Sequence, residues 1–97
     1  MRTIKRTYGR SDVKFAQLDK VLRAFGFSWR PSERNPRTRV YEHESGAQIG
    51  LKPYRSNERV YKHHMYVVMT ELDNFGIADP ATFDAKILKA GRTSVGA

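Results

Sequence analysis

The side chains of this sequence that titrate near neutral pH are His43, His63 and His64. Breaking a ribose phosphodiester needs a base for the 2′-hydroxyl and an acid for the leaving oxygen, and imidazole serves either role. His43, on an expected strand, and His63, at an expected helix start, are the candidate pair for such work. The competing reading of the adjacent His63 and His64 is one ring partly buried and its neighbour solvated. Neighbours on a helix diverge by ~100°, which suits a shared metal ion poorly, and neither a metal nor a cofactor is expected. No Ser-His-Asp grouping, phosphate-cradling glycine loop or carboxylate pair stands out.

Basic residues carry the stronger signal. The 97-residue chain has 18 Lys and Arg against 10 Asp and Glu, a net charge of +8. Residues 1–62 hold 15 of the basic and 6 of the acidic side chains, a net of +9, and residues 63–97 hold the remaining 3 and 4, a net of −1. Within the first part the cations cluster. Arg2, Lys5, Arg6 and Arg10 lie in an N-terminal arm, Arg30, Arg34, Arg37 and Arg39 around a proline-bounded loop, and Lys52, Arg55, Arg59 and Lys62 in a second loop and the helix start after it. Excess positive charge on a small domain points to polyanions, with nucleic acid first and an anionic membrane surface or an acidic protein second. Arginine forks match phosphate oxygens, and the first turn of a helix offers amide N–H groups to an anion. Tyr41 and Tyr54 lie beside these cations, either as stacking surfaces for unpaired bases or as partly buried rings with wet hydroxyls. Trp29 is read as core in preference to base platform. The nucleic-acid-binding set is therefore Arg30, Arg34, Arg37, Arg39, Lys52, Arg55, Arg59, Lys62, Tyr41 and Tyr54.

Composition removes other classes. With no cysteine there is no disulfide scaffold, zinc finger or thiol nucleophile. The longest apolar run, Met65 to Met69, falls far short of the ~20 residues of a membrane span. No apolar segment follows the basic residues of MRTIKRTYGR, so no secretory signal is read there. A cytoplasmic, single-domain protein without a membrane role is expected: residues 1–10 a flexible arm, 11–91 the domain, 92–97 a frayed tail.

Local patterns place these residues on elements. Ser11 or Asp12 is the expected cap of a first helix, with Phe15, Leu18, Leu22 and Phe25 along one face and Gly26 at its end. Phe27 to Arg30 reads as a short strand, and Pro31 and Pro36 bracket a loop. Thr38 to Leu51 reads as a hairpin about Ser45-Gly46, with Val40 opposite Arg39, Tyr41 and His43, and with Ala47, Ile49 and Leu51 on one side. Ser56 or Asn57 is the expected cap of a second helix carrying Tyr61, Met65, Val68, Leu72 and Phe75. Asp79-Pro80 opens a third, with Phe83, Ile87 and Ala90 inward and Gly91 as its stop. The economical fold is α+β: a three-stranded antiparallel sheet packed against two helices on one face, in the order α-β-β-β-α, with an extra C-terminal helix.

Several of these segments resemble one family. The Leu22–Trp29 run LRAFGFSW, the Glu44-Ser45-Gly46 turn, the Ile49/Leu51 strand and Asn74-Phe75-Gly76-Ile77 look like the HicA-type toxins of bacterial toxin–antitoxin systems. The resemblance covers roughly residues 15–77. It implies a double-stranded-RNA-binding-like fold, RNA as ligand and an antitoxin as a possible acidic partner. Those toxins cleave messenger RNA with a histidine in a Gly-Ser-His run at the second strand, where this chain has Asn35-Pro36-Arg37-Thr38. The nuclease chemistry therefore carries over to no residue. Three readings follow: an RNA-binding module, a ribonuclease with relocated histidines, and a module that binds an acidic protein.

Overall fold

A computed structural model describes the chain from residue 9 to residue 96. Residues 1–8 of the expected arm, and position 97 of the expected tail, lie outside the described residues. The fold is α+β with antiparallel sheets and three helices. In chain order the elements are β1 (Arg10–Lys14), α1 (Phe15–Ala24), β2 (Ser28–Pro31), β3 (Arg39–Glu42), β4 (Gln48–Leu51), β5 (Arg59–Tyr61), α2 (Lys62–Asn74) and α3 (Pro80–Gly96).

The strands form two sheets. Strands β2, β3 and β4 make an antiparallel sheet in that order, with Trp29 opposite Tyr41 opposite Ile49, and Pro31 opposite Arg39 opposite Leu51. Side chains at opposed positions share a face. Trp29, Arg39, Tyr41, Ile49 and Leu51 thus lie on one side, and Arg30, Val40, Glu42 and Gln48 on the other, as the alternation predicts. Strands β1 and β5 make a separate antiparallel ribbon, joined through Arg10–Tyr61 and Lys14–Arg59 with an irregularity between them.

Here the expected α-β-β-β-α order needs correcting at two places. Residues 10–14, expected as arm and helix cap, form β1, and residues 59–61, expected as helix, form β5. Ser11 caps nothing helical: its hydroxyl donates to the Val60 carbonyl at 2.7 Å. Helix α1 starts at Phe15 because the loop before β5 supplies acceptors for its first amides. Phe15 N–H donates to the Glu58 carbonyl at 2.8 Å and Ala16 N–H to that of Ser56 at 2.9 Å. Ser56 is therefore engaged with α1, and α2 begins after Tyr61, whose extended backbone takes the N-cap position.

Packing is also not that of two helices side by side on the three-stranded sheet. Helix α2 lies along β4 and the ribbon, whereas α1 packs chiefly against α3 and β1. The core joins them: Leu18 and Leu22 of α1, Tyr41, Ile49 and Leu51 of the sheet, Val60 of β5, Val68 and Leu72 of α2, and Phe83 of α3 are all buried. Gly26 and Gly76 end α1 and α2 in the left-handed region, with φ of 100° and 68°. The next residues, Phe27 and Ile77, donate back to the Leu22 and Leu72 carbonyls at 3.0 and 2.9 Å, closing each last turn. Asp79 caps α3 as expected, its Oδ1 accepting the Thr82 N–H at 2.8 Å. Two expectations fail at helix ends. Phe75 is exposed just past α2, and α3 runs through Gly91 to Gly96.

Candidate nucleic-acid interface

The register of the three-stranded sheet places Arg39 beside the end of β4, and Lys52 follows that strand directly. The Arg39 guanidinium lies 4.3 Å from the Trp29 ring centre and 5.0 Å from that of Phe15. Phe15, at the first turn of α1, stacks on Tyr54 with centroids 5.4 Å apart and planes 14° apart. Lys52 Nζ sits 4.2 Å over Tyr54. Tyr54 meets Tyr61 at 6.3 Å, and Tyr61 carries the Arg10 guanidinium at 4.1 Å. Three cations, Arg39, Lys52 and Arg10, are thus seated along a row of aromatic rings in which Phe15, Tyr54 and Tyr61 follow one another and Trp29 joins Phe15 through the Arg39 guanidinium. Each such contact contributes ~0.5–1 kcal/mol at an exposed site. The larger consequence is that long, flexible cations are held in place before any ligand arrives.

One carboxylate tempers the row. Glu58 Oε2 accepts from Arg10 at 2.9 Å and from Lys52 at 3.0 Å, while Oε1 accepts the Arg55 N–H at 3.0 Å. The Arg55 amide first, then the two cations, hold the Glu58 carboxyl down at a pKa of about 2. The row therefore keeps its three positive charges against one fixed negative charge.

The remaining predicted residues are distributed unevenly. Arg34 and Arg37 are exposed in the loop between β2 and β3 and have no carboxylate partner among the described residues. The loop is tied by Thr38 N–H donating to the Asn35 carbonyl and Arg37 N–H to Asn35 Oδ1. Arg55 is exposed in the loop before β5. Arg30 is not on this side: it lies on the opposite face of the sheet, 3.1 Å from Glu42. Arg59 belongs to β5, with Asp12 3.8 Å away, instead of a helix start. Lys62 opens α2, its N–H donating to the Gly9 carbonyl at 2.8 Å.

The two tyrosines are core residues, not stacking surfaces. Tyr41 is 0% exposed and its hydroxyl donates to Asp19 Oδ1 at 2.6 Å. That burial, and then the carboxylate, raise its pKa beyond the ordinary phenol range. Tyr54 is 5% exposed. Its oxygen accepts the Tyr61 N–H at 3.0 Å and its O–H donates to His64 Nδ1 at 2.5 Å. Trp29, expected inside, is 37% exposed on the edge strand of its sheet.

The three histidines fall in two groups. His43 Nδ1 accepts the Ser45 N–H at 3.0 Å, and Nε2 lies 3.1 Å from the Phe25 carbonyl, which can only accept. Those partners join the hairpin turn to the end of α1. His43 packs on Phe27, while His63 packs on Tyr61 and His64 at centroid distances of 5.8 and 4.2 Å. The two belong to different clusters. No group of three or more metal-binding side chains occurs among the described residues, and none of their helices is long and apolar enough to cross a membrane.

Sequence reasoning missed Arg10, assigned to the arm, and Trp29, assigned to the core. The Phe27 to Arg30 segment carried no sign that β2 would be an edge. No known protein family, curated protein or solved structure matches this chain.

Proposed function

We propose that this protein is a small nucleic-acid-binding domain that grips phosphates through Arg39, Lys52 and Arg10, flanked by Arg34, Arg37, Arg55 and Lys62. The observation that carries the reading is the seating of three cations on one aromatic row. Ion pairs alone would serve stability as well, but Arg39 faces rings and has no carboxylate partner among the described residues. The resemblance of residues 15–77 to HicA-type toxins favours RNA over DNA and a cytoplasmic setting.

The test is fluorescence anisotropy with labelled RNA and DNA across a salt series, with cleavage read on gels from the same mixtures. Phosphate contacts release counterions, so the log–log salt slope shrinks by ~0.7 for each contact removed on single strands and ~0.9 on duplex DNA. Arg39→Ala combined with Lys52→Ala is expected to weaken all sequences alike and flatten the slope, whereas Arg30→Ala changes little. Binding unaffected by the double variant would defeat the proposed site. Cleavage lost in His63→Ala would move the reading to a ribonuclease.

A further inference from the structure

We infer that the nucleic acid bound at this row is single-stranded, with an unpaired base stacking on Trp29 beside the Arg39 guanidinium. The inference rests on the phosphate-binding reading above and names the form of ligand for the same site.

Trp29 is the chain's single tryptophan, and it sits where a core residue would sit in a wider sheet. Its side chain is on the face that buries Tyr41, its direct cross-strand partner, and Ile49 beyond. Strand β2 is an edge and all four of its residues are exposed. The Arg39 guanidinium lies over the ring at 4.3 Å, and more than a third of the residue still meets solvent. Leaving this much indole wet forfeits burial that the rest of the sheet face achieves. A guanidinium over an indole also makes a composite plane, since both groups stack on bases.

The neighbourhood matches one nucleotide unit. A base on Trp29 brings its own phosphates toward Arg39, Arg34 and Arg37, which flank β2 and β3. Lys52 and Arg10 continue the row for the nucleotides that follow. In a duplex each base face is already covered by its neighbours, so a ring fixed at a sheet edge has nothing to stack on. Single strands offer free base faces, and aromatic platforms between cations are how they are held without reading sequence.

The lone tryptophan makes the test direct. The full chain is titrated with oligonucleotides of about ten residues, a length within the usual span of such sites. The probes are oligouridylate, oligothymidylate, an RNA duplex, inorganic polyphosphate and polyglutamate, each followed by intrinsic fluorescence and by anisotropy. Saturable quenching of Trp29 by either single strand, absent with duplex and polyphosphate, is expected, and the uridylate and thymidylate arms show which sugar is preferred. Trp29→Ala is expected to weaken single-strand binding on the order of 10- to 100-fold. Duplex and polyphosphate binding should fall far less than single-strand binding, since Arg39 is also seated on Phe15, and Trp29→Phe should restore part of the loss. Circular dichroism melts confirm that both variants fold. Single strands that bind without quenching, or equally well to Trp29→Ala, overturn the inference and leave the phosphate site standing. Quenching by polyglutamate alone overturns it in favour of an acidic protein ligand. If no polyanion binds at all, the phosphate-binding reading fails and takes this inference with it.

Discussion

His64 and Tyr54 form a partly buried hydrogen-bonded pair on the β1–β5 side. The Tyr54 hydroxyl accepts the Tyr61 N–H, so its one proton goes to His64 Nδ1, and the imidazole is held neutral. Burial first, then the charges of His63 and Lys52, lower the His64 pKa from 6.5. The unfolded chain then takes up a proton at a higher pH than the folded one. The associated stability is complete above the unfolded pKa and is lost as pH falls through the lower folded value. Urea midpoints of the wild type are therefore expected to fall between about pH 7 and pH 5. His64→Asn, whose Oδ1 can take the same hydroxyl proton, should flatten that fall, and an equally steep decline in the variant would exclude His64 as its source. At this scale the sequence marked Tyr54 and His64 as chemically able but not as partners. They are 10 residues apart and meet only because β5 turns the chain back.

The element that departs most from expectation is the β1–β5 ribbon. A two-stranded ribbon is marginal alone, and this one is fastened by Glu58, which ties Arg10 of β1 to Lys52 beyond β4 across 48 and 6 residues of sequence. Glu58→Gln keeps the size but removes the charge. It is expected to lower the melting temperature most at low ionic strength, where exposed pairs count most. It should also tighten nucleic-acid binding by freeing two cations from their counter-charge. A variant that melts as the wild type does and binds no more tightly would show that Glu58 governs neither. Below the ordinary glutamate range the wild type should lose the same contribution, as the carboxyl protonates toward about pH 2. At the α1–α3 contact, a Cβ on Gly91 would lie 2.6 Å from Gln17 Nε2, which donates to the Ile87 carbonyl at 2.9 Å. Alanine in place of a helical glycine usually adds ~0.5–1 kcal/mol. Here Gly91→Ala is expected to yield no gain or a loss by chemical denaturation, and Gln17→Ala combined with Gly91→Ala to recover part of the propensity. A full gain in the single variant would mean that Gln17 moves aside freely.

For the molecule as a whole, one core draws on every element except β2, while the charge is divided. Leu18 is fully buried in α1, the helix that packs against α3 and β1. Leu18→Ala should cost about 2–5 kcal/mol, a large share of the ~5–15 kcal/mol that stabilises a typical domain. Equilibrium unfolding should show one transition shifted for all probes together. Separate transitions for the ribbon and the three-stranded sheet would contradict a shared core. The basic residues 10, 39 and 52 gather at the ribbon and the neighbouring sheet corner, whereas the last turn of α2 carries Glu71 and Asp73 with no cation. Partner binding is thus expected on one side of the molecule only.

Helices α1, α2 and α3, the hairpin about Gly46, the three-residue alternation of Ala47, Ile49 and Leu51, and the Asp79 cap were all legible in the sequence. Each is decided within a few residues by side-chain period, capping or backbone freedom. The pairing of β1 with β5, the start of α1 on the Glu58 and Ser56 carbonyls, the opposite facing of Arg30 and the wet edge position of Trp29 came only with the tertiary structure. Those features depend on which remote segment closes against which. A strand carries its own alternation but no mark of whether a neighbour will cover its edge. The row of Arg39, Lys52 and Arg10 is the product of that closure, since the three cations stand far apart along the chain and share only the rings that folding lines up beneath them.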